Sequence, residues 1–166
     1  MKPSVLIVSA NYYSDISKKL IDGATRELKR SGVLNNVEPE TQSKRIKLVP
    51  GVFEIPIVIK KYIDSFDAFI ALGCVIKGKT PHFDFISRAS INEIMNLSTR
   101  YGKPIGNGII TCLNKKQALE RADRRKKNKG AEAVRAALAV YNIINKNFSL
   151  DIKWSPLNRF KILELL

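Results

Sequence analysis

Residues 66–84 read FDAFIALGCVIKGKTPHFD, and the order of events within them decides the fold. The apolar run Ala68–Ile76 shows no polar alternation. Over 66–75 it therefore predicts a strand buried on both faces rather than one with a wet side. The run breaks at Gly78, and Thr80-Pro81 follow as a predicted N-cap and first helical residue. Beyond them Phe83, Ile86, Ser90, Ile94, Leu97 and Tyr101 recur on one face at helical spacing. A strand buried on both faces that runs straight into a helix is the repeating unit of a parallel sheet.

The same alternation extends outward on both sides. Upstream, Val5–Ala10 is a second fully apolar run, and Ile16, Leu20, Ala24 and Leu28 then repeat at helical spacing until Ser31-Gly32 stops them. A weaker extended piece over 45–49 ends at the turn signal Pro50-Gly51. Helical spacing resumes over 53–63, with Pro56 tolerated in a first turn that has no use for its missing N–H. Downstream, 105–112 reads as a fourth strand and 115–122 as a helix. A last helix spans 129–147, with Val134, Leu138, Tyr141 and Ile144 in register. Four strands alternating with helices predict an α/β fold, a three-layer α/β/α sandwich with a four-stranded, mainly parallel sheet and right-handed crossovers. Ligands of such sheets lie outside the carboxyl ends of the strands, so the loops after Ala10, Val49, Val75 and Cys112 are the ones to inspect.

Composition narrows the function classes. A chain of 166 residues, 45% of them hydrophobic, suits one ordinary domain and excludes a disordered one. Its longest apolar run is about half of what a membrane-spanning helix needs. Met1-Lys2-Pro3-Ser4 leads into an apolar piece too short for a secretory signal, so a cytoplasmic protein is expected. Cys74 and Cys112 sit inside apolar stretches, with no CxxC spacing and a single histidine in the chain. Buried free thiols are the expectation, and no metal site. The net charge of +14 attracts polyanions, phosphorylated metabolites and membrane surfaces without selecting among them. The basic run at 121–130, RADRRKKNKG, has no interleaved aromatics, and neither an RRM-type motif nor a KH-type GxxG clamp is present. Specific nucleic-acid binding is therefore not expected.

Three segments can carry chemistry. At 78–82, free N–H groups at a helix start form an anion cradle, Gly78 admits a phosphate to the backbone, and His82 projects from the first turn. An imidazole there can take up and release a proton near neutral pH. Considered alone, a histidine at a helix start is more often an incidental polar residue; at the carboxyl end of a buried strand, beside an anion cradle, the reading as a proton carrier is favoured instead. At 49–56, VPGVFEIP places backbone groups and Glu54 at the same sheet edge, where they could recognise the donors of a planar heterocycle. Phe53 packed in the core and Glu54 merely favouring a helix start is the plainer alternative. Tyr12 and Tyr13 follow the first strand and could stack on an aromatic ligand, or pack as ordinary side chains.

Taken together these segments resemble the 6,7-dimethyl-8-ribityllumazine synthase family over residues 5–147. The resemblance is carried by VPGVFEIP (49–56), DAFIALGCVIKGKTPHFD (67–84), GNGIITC (106–112) and ALERADRRKKNKGAEAVRAAL (118–138). It implies a flavodoxin-like sandwich and an enzyme of riboflavin biosynthesis. Such an enzyme condenses 5-amino-6-(D-ribitylamino)uracil with 3,4-dihydroxy-2-butanone 4-phosphate, releases phosphate and water, and uses no metal or organic cofactor. By the same resemblance Tyr12 stacks on the pyrimidine, Val52, Phe53 and Glu54 hold the ribityl chain and ring edge, and Cys74, Val75 and Ile76 line the ring pocket. Lys79 and Thr80 match the phosphate turn, His82 the proton-transfer residue and Arg121 the phosphate-binding arginine. Asn107 and Arg121 match positions supplied by a neighbouring subunit, which implies a homo-oligomer with sites between subunits.

The departures are specific. Lys79 adds positive charge where the family is commonly acidic or small. Asn107 stands where many members have phenylalanine, which makes one pocket wall more polar. Residues 123–127 replace a glycine-containing stretch typical of members that build icosahedral shells, so a pentamer or decamer is expected instead. Residues 148–166 extend past the usual end of the family domain, and Trp154, Phe160 and Ile162-Leu163-Glu164-Leu165-Leu166 suggest a packed or partner-binding tail.

Overall fold

The computed structural model of the chain describes residues 2–34, 41 and 44–145. The tail at 148–166, and the last two residues of the helix expected to reach 147, lie outside them. Four strands, β1 (Val5–Ala10), β2 (Ile46–Val49), β3 (Ala68–Ile76) and β4 (Ile105–Cys112), form one sheet in the order β2-β1-β3-β4. Every pairing is parallel, with Ile7 opposite Ile46, Val5 opposite Ala68 and Phe69 opposite Ile105. The helices are α1 (Ser14–Arg30), α2 (Ile55–Lys61), α3 (His82–Tyr101), α4 (Lys115–Ala122) and α5 (Lys129–Asn145).

Alternate residues of the central strands β1 and β3 face two cores, which is why neither shows a polar alternation in sequence. Ile7, Ile70, Leu72 and Ile110 pack under α1, α4 and α5, while Leu6, Val8, Phe69 and Ala71 pack under α2 and α3. Ile16, Leu20, Ala24 and Leu28 form the buried stripe of α1, as their spacing predicts. Inside this apolar layer the hydroxyls of Ser9 on β1 and Ser17 on α1 pair at 3.0 Å, so neither is left unsatisfied.

Helix α5 corrects one expectation. Its buried face is Gly130, Ala131, Ala133, Val134 and Ala137, and Ile144 is exposed. Small residues are needed there because the helix lies close to both the sheet and α1. A Cβ on Gly106 would land on the carbonyl oxygen of Ala133, and one on Gly130 on that of Leu20. Spacing identifies a helical face but cannot tell a close small-residue contact from a wide aliphatic one.

Other boundaries also shift. Phe66 and Asp67 precede β3, and Asp67 instead accepts both the N–H and the hydroxyl of Ser4 at 2.7 Å. The helical stretch expected over 53–63 divides into a tight 3₁₀ turn at Val52–Glu54 and α2, with Pro56 in its first turn as expected.

Candidate active site

The carboxyl ends of β1, β2 and β3 surround an open cavity of about 440 Å³. Tyr12 and Tyr13 come from the loop after β1, Gly51, Val52, Phe53 and Glu54 from the turn after β2. Cys74, Val75 and Ile76 end β3, Gly78 and Thr80 follow it, and His82 opens α3, with Phe83 and Ile86 from the same helix behind it. The fourth loop expected at the site does not line this cavity. After Cys112 the chain turns to begin α4, and the Asn114 side chain caps that helix by accepting the Gln117 N–H at 3.0 Å.

The β2 turn is fixed by its own acid. Glu54 accepts the N–H of Gly51 at 2.9 Å, which holds the carboxylate at the cavity edge. That bond satisfies an orphan amide of the turn and still leaves carboxylate lone pairs for a ligand. Phe53 does not pack in the core: it is 61% exposed and borders the cavity. A three-residue turn leaves its ring no inward direction once Val52 and Ile55 have taken the buried positions.

The turn before α3 corrects the expected cap. Pro81 itself is the N-cap and His82 the first helical residue, because the Pro81 carbonyl accepts from both Asp84 and Phe85, and Thr80 makes no capping bond. The shift by one residue keeps the anion cradle. Among the described residues the N–H groups of Gly78, Lys79, His82 and Phe83 meet no backbone acceptor, and α3 points its positive end at them. Thr80 and His82 reach the cavity, whereas exposed Lys79 does not line it.

Both cysteines are buried free thiols, as expected. Burial, with the neighbouring Cys112, pushes the Cys74 thiol up to about 12, so it serves the pocket as an apolar wall rather than a nucleophile. Burial also raises the Tyr13 phenol.

Asn107 and Arg121 stand apart from the cavity of their own chain. Asn107 is exposed on the edge strand β4, where its side-chain oxygen accepts the Ile109 N–H at 3.0 Å. Arg121 lies on α4 close to both thiols, and its buried Nε has no partner. Gly51, Phe83 and Ile86 line the site without having been singled out as binding residues, and Tyr13, read as able to stack on a ligand or to pack as an ordinary side chain, lines it too. Phe83 and Ile86 read as core positions because a helical face that turns from core to cavity keeps one unbroken apolar spacing.

The sequence profile of the 6,7-dimethyl-8-ribityllumazine synthase family matches residues 2–145. The chain belongs to that family. It is 43% identical over 146 residues to 6,7-dimethyl-8-ribityllumazine synthase 1 of Rhodopseudomonas palustris, covering 84% of each chain. It is 45% identical over 138 residues to the 6,7-dimethyl-8-ribityllumazine synthase of Sphingopyxis alaskensis, covering 82% of this chain and 91% of that one. A lumazine synthase of Zymomonas mobilis is 41% identical over 143 residues, 85% of this chain and 96% of its own. Membership in the lumazine synthase family makes the protein an enzyme, a transferase of riboflavin biosynthesis.

Proposed function

We propose that the chain joins 5-amino-6-(D-ribitylamino)uracil to 3,4-dihydroxy-2-butanone 4-phosphate in the cavity at the carboxyl ends of β1, β2 and β3. The observation that carries this reading is the meeting of an exposed aromatic, a fixed carboxylate, an anion-binding helix start and a histidine around one cavity. A planar pyrimidine fits between Tyr12 and the apolar ends of β3. Val52, Phe53 and Glu54 meet its ribityl chain and ring edge. The phosphate faces the N–H groups of Gly78, Lys79, His82 and Phe83, with Thr80 beside it and the Lys79 charge outside the cavity.

The chemistry divides accordingly. The free amine of the pyrimidine attacks the ketone, and loss of one water gives the imine. His82 takes a proton from the carbon next to the imine, the electrons move toward the phosphate-bearing carbon, and phosphate leaves. The enol so formed takes up a proton at its terminal carbon and becomes a methyl ketone, whose carbonyl carbon the ribityl-bearing nitrogen attacks, closing the ring with loss of a second water. Holding two substrates in one orientation supplies much of the acceleration, and a positioned proton carrier adds to it.

Among the described residues no arginine lines the cavity, and large apolar side chains including Leu48, Ile57, Phe85 and Met95 are exposed. Both observations support a homo-oligomer in which Arg121 and Asn107 of a neighbouring subunit complete each cavity; the replacement of the glycine-containing stretch at 123–127 favours a pentamer or decamer over a shell. No helix among the described residues is long and apolar enough to cross a membrane; cytoplasmic action on small-molecule substrates is the reading proposed. Purified protein given both substrates should form the lumazine chromophore with equimolar phosphate. Formation no faster than in buffer would overturn the reading.

A further inference from the structure

The backbone on either side of Tyr12 is fixed. Asn11 donates to the carbonyl of Val49 at 2.8 Å, which ties the end of β1 to β2. The Tyr13 carbonyl accepts from Ile16 at 3.1 Å and Ser17 at 2.8 Å, which ties the next residue to the start of α1. The Tyr12 ring itself is 74% exposed. Its one aromatic neighbour among the described residues is Tyr13, at 4.9 Å between centroids and 77° between planes. Tyr13 in turn is partly buried against the core cluster that contains Cys74 and Cys112.

We propose that Tyr13 is a positioning residue that sets the plane of the Tyr12 ring and so presents its free face to the pyrimidine. This rests on the reading of Tyr12 as the stacking residue. An edge-to-face pair favours one relative orientation of two rings. A side chain held by no other ring would otherwise lose rotamer freedom when a ligand stacks on it, and prior ordering removes that loss from the binding step. Tyr13 is suited to the task because it packs against the core and also lines the cavity.

The test measures KM for each substrate in Tyr13→Phe, Tyr13→Leu, Tyr12→Ala and the Tyr12→Ala/Tyr13→Leu double variant, with melting temperatures recorded alongside. Tyr13→Phe keeps the ring edge and should retain the parent KM for the pyrimidine. Tyr13→Leu fills the volume without an aromatic edge and should raise that KM about three- to tenfold, the worth of one aromatic pair, with KM for the butanone phosphate unchanged. In the Tyr12→Ala background the leucine change should add nothing, since no ring remains to be oriented. Additive effects, or equal shifts in both KM values, would assign Tyr13 a merely structural role and overturn the proposal. Unchanged pyrimidine KM in Tyr12→Ala would instead remove the stacking reading itself, and the proposal with it.

Discussion

Gly51 donates its backbone N–H to the Glu54 carboxylate at 2.9 Å, so the turn that carries the acid also aims it. Structure and recognition therefore separate in two variants. Glu54→Gln keeps an oxygen acceptor for Gly51 and should melt within a few degrees of the parent. Glu54→Ala loses the acceptor and should destabilise by about 1 kcal/mol, as for a lost helix cap. Both should raise KM for the pyrimidine if the charge is needed for its donors. A parent KM in Glu54→Gln would show that the acid acts only on the turn.

Arg121 offers the opposite separation. Its buried Nε has no partner among the described residues, so Arg121→Ala removes no hydrogen bond to them at that atom, and the melting temperature should change little. If it binds phosphate from across a subunit boundary, the loss of a charged hydrogen bond of about 1.5–3 kcal/mol should raise KM for the butanone phosphate roughly ten- to a hundredfold. Steady-state kinetics with the pyrimidine saturating reads this directly.

Acid stability should depend on Glu27. This α1 carboxylate is buried between Arg30 and Arg135 of α5, the latter at 3.4 Å, and Arg30 above all holds it below the ordinary glutamate range. A depressed carboxyl contributes stability above its unfolded pKa and loses it as pH falls through the lower folded value. Urea midpoints measured from pH 7 down to pH 3 should therefore fall more steeply for the parent than for Glu27→Gln. Parallel curves would remove Glu27 from the acid limb.

The seam between α5 and the sheet should tolerate no added carbon. Gly106→Ala places a methyl on the Ala133 carbonyl, and a shift of α5 to relieve it should cost about 1–3 kcal/mol. Urea unfolding measures the loss, and an unchanged midpoint would mean the helix moves away freely.

The central strand Val5–Ala10 was legible because a strand covered on both faces reads as a plain apolar run; the edge strand Ile105–Cys112 also carries its boundaries in sequence, although Asn107 and Thr111 within it are exposed. The site was legible wherever the loop chemistry was local, as at Glu54 and at Gly78 to His82. What escaped was set by contacts distant in sequence. Ile144 keeps helical register with Val134 but lies beyond the sheet that would bury it. Phe53 has the residue type of a core position, yet the 3₁₀ turn faces it outward. Tyr13 differs from Tyr12 only in the packing behind its ring, which no spacing records.

The central claim, a condensation site completed by a second subunit, is tested most directly by mixing two weakened variants. His82→Ala lacks the proposed proton carrier and should lower kcat about a hundredfold with little change in melting temperature, since His82 is exposed at a helix start. Arg121→Ala lacks the proposed phosphate ligand. Unfolded together in equal amounts and refolded, they should form lumazine and phosphate at about a quarter of the parent rate, the share of subunit boundaries at which both residues are intact. A mixture no more active than the average of the two variants would place Arg121 and His82 in the same chain's site, or in no shared site, and would contradict the account.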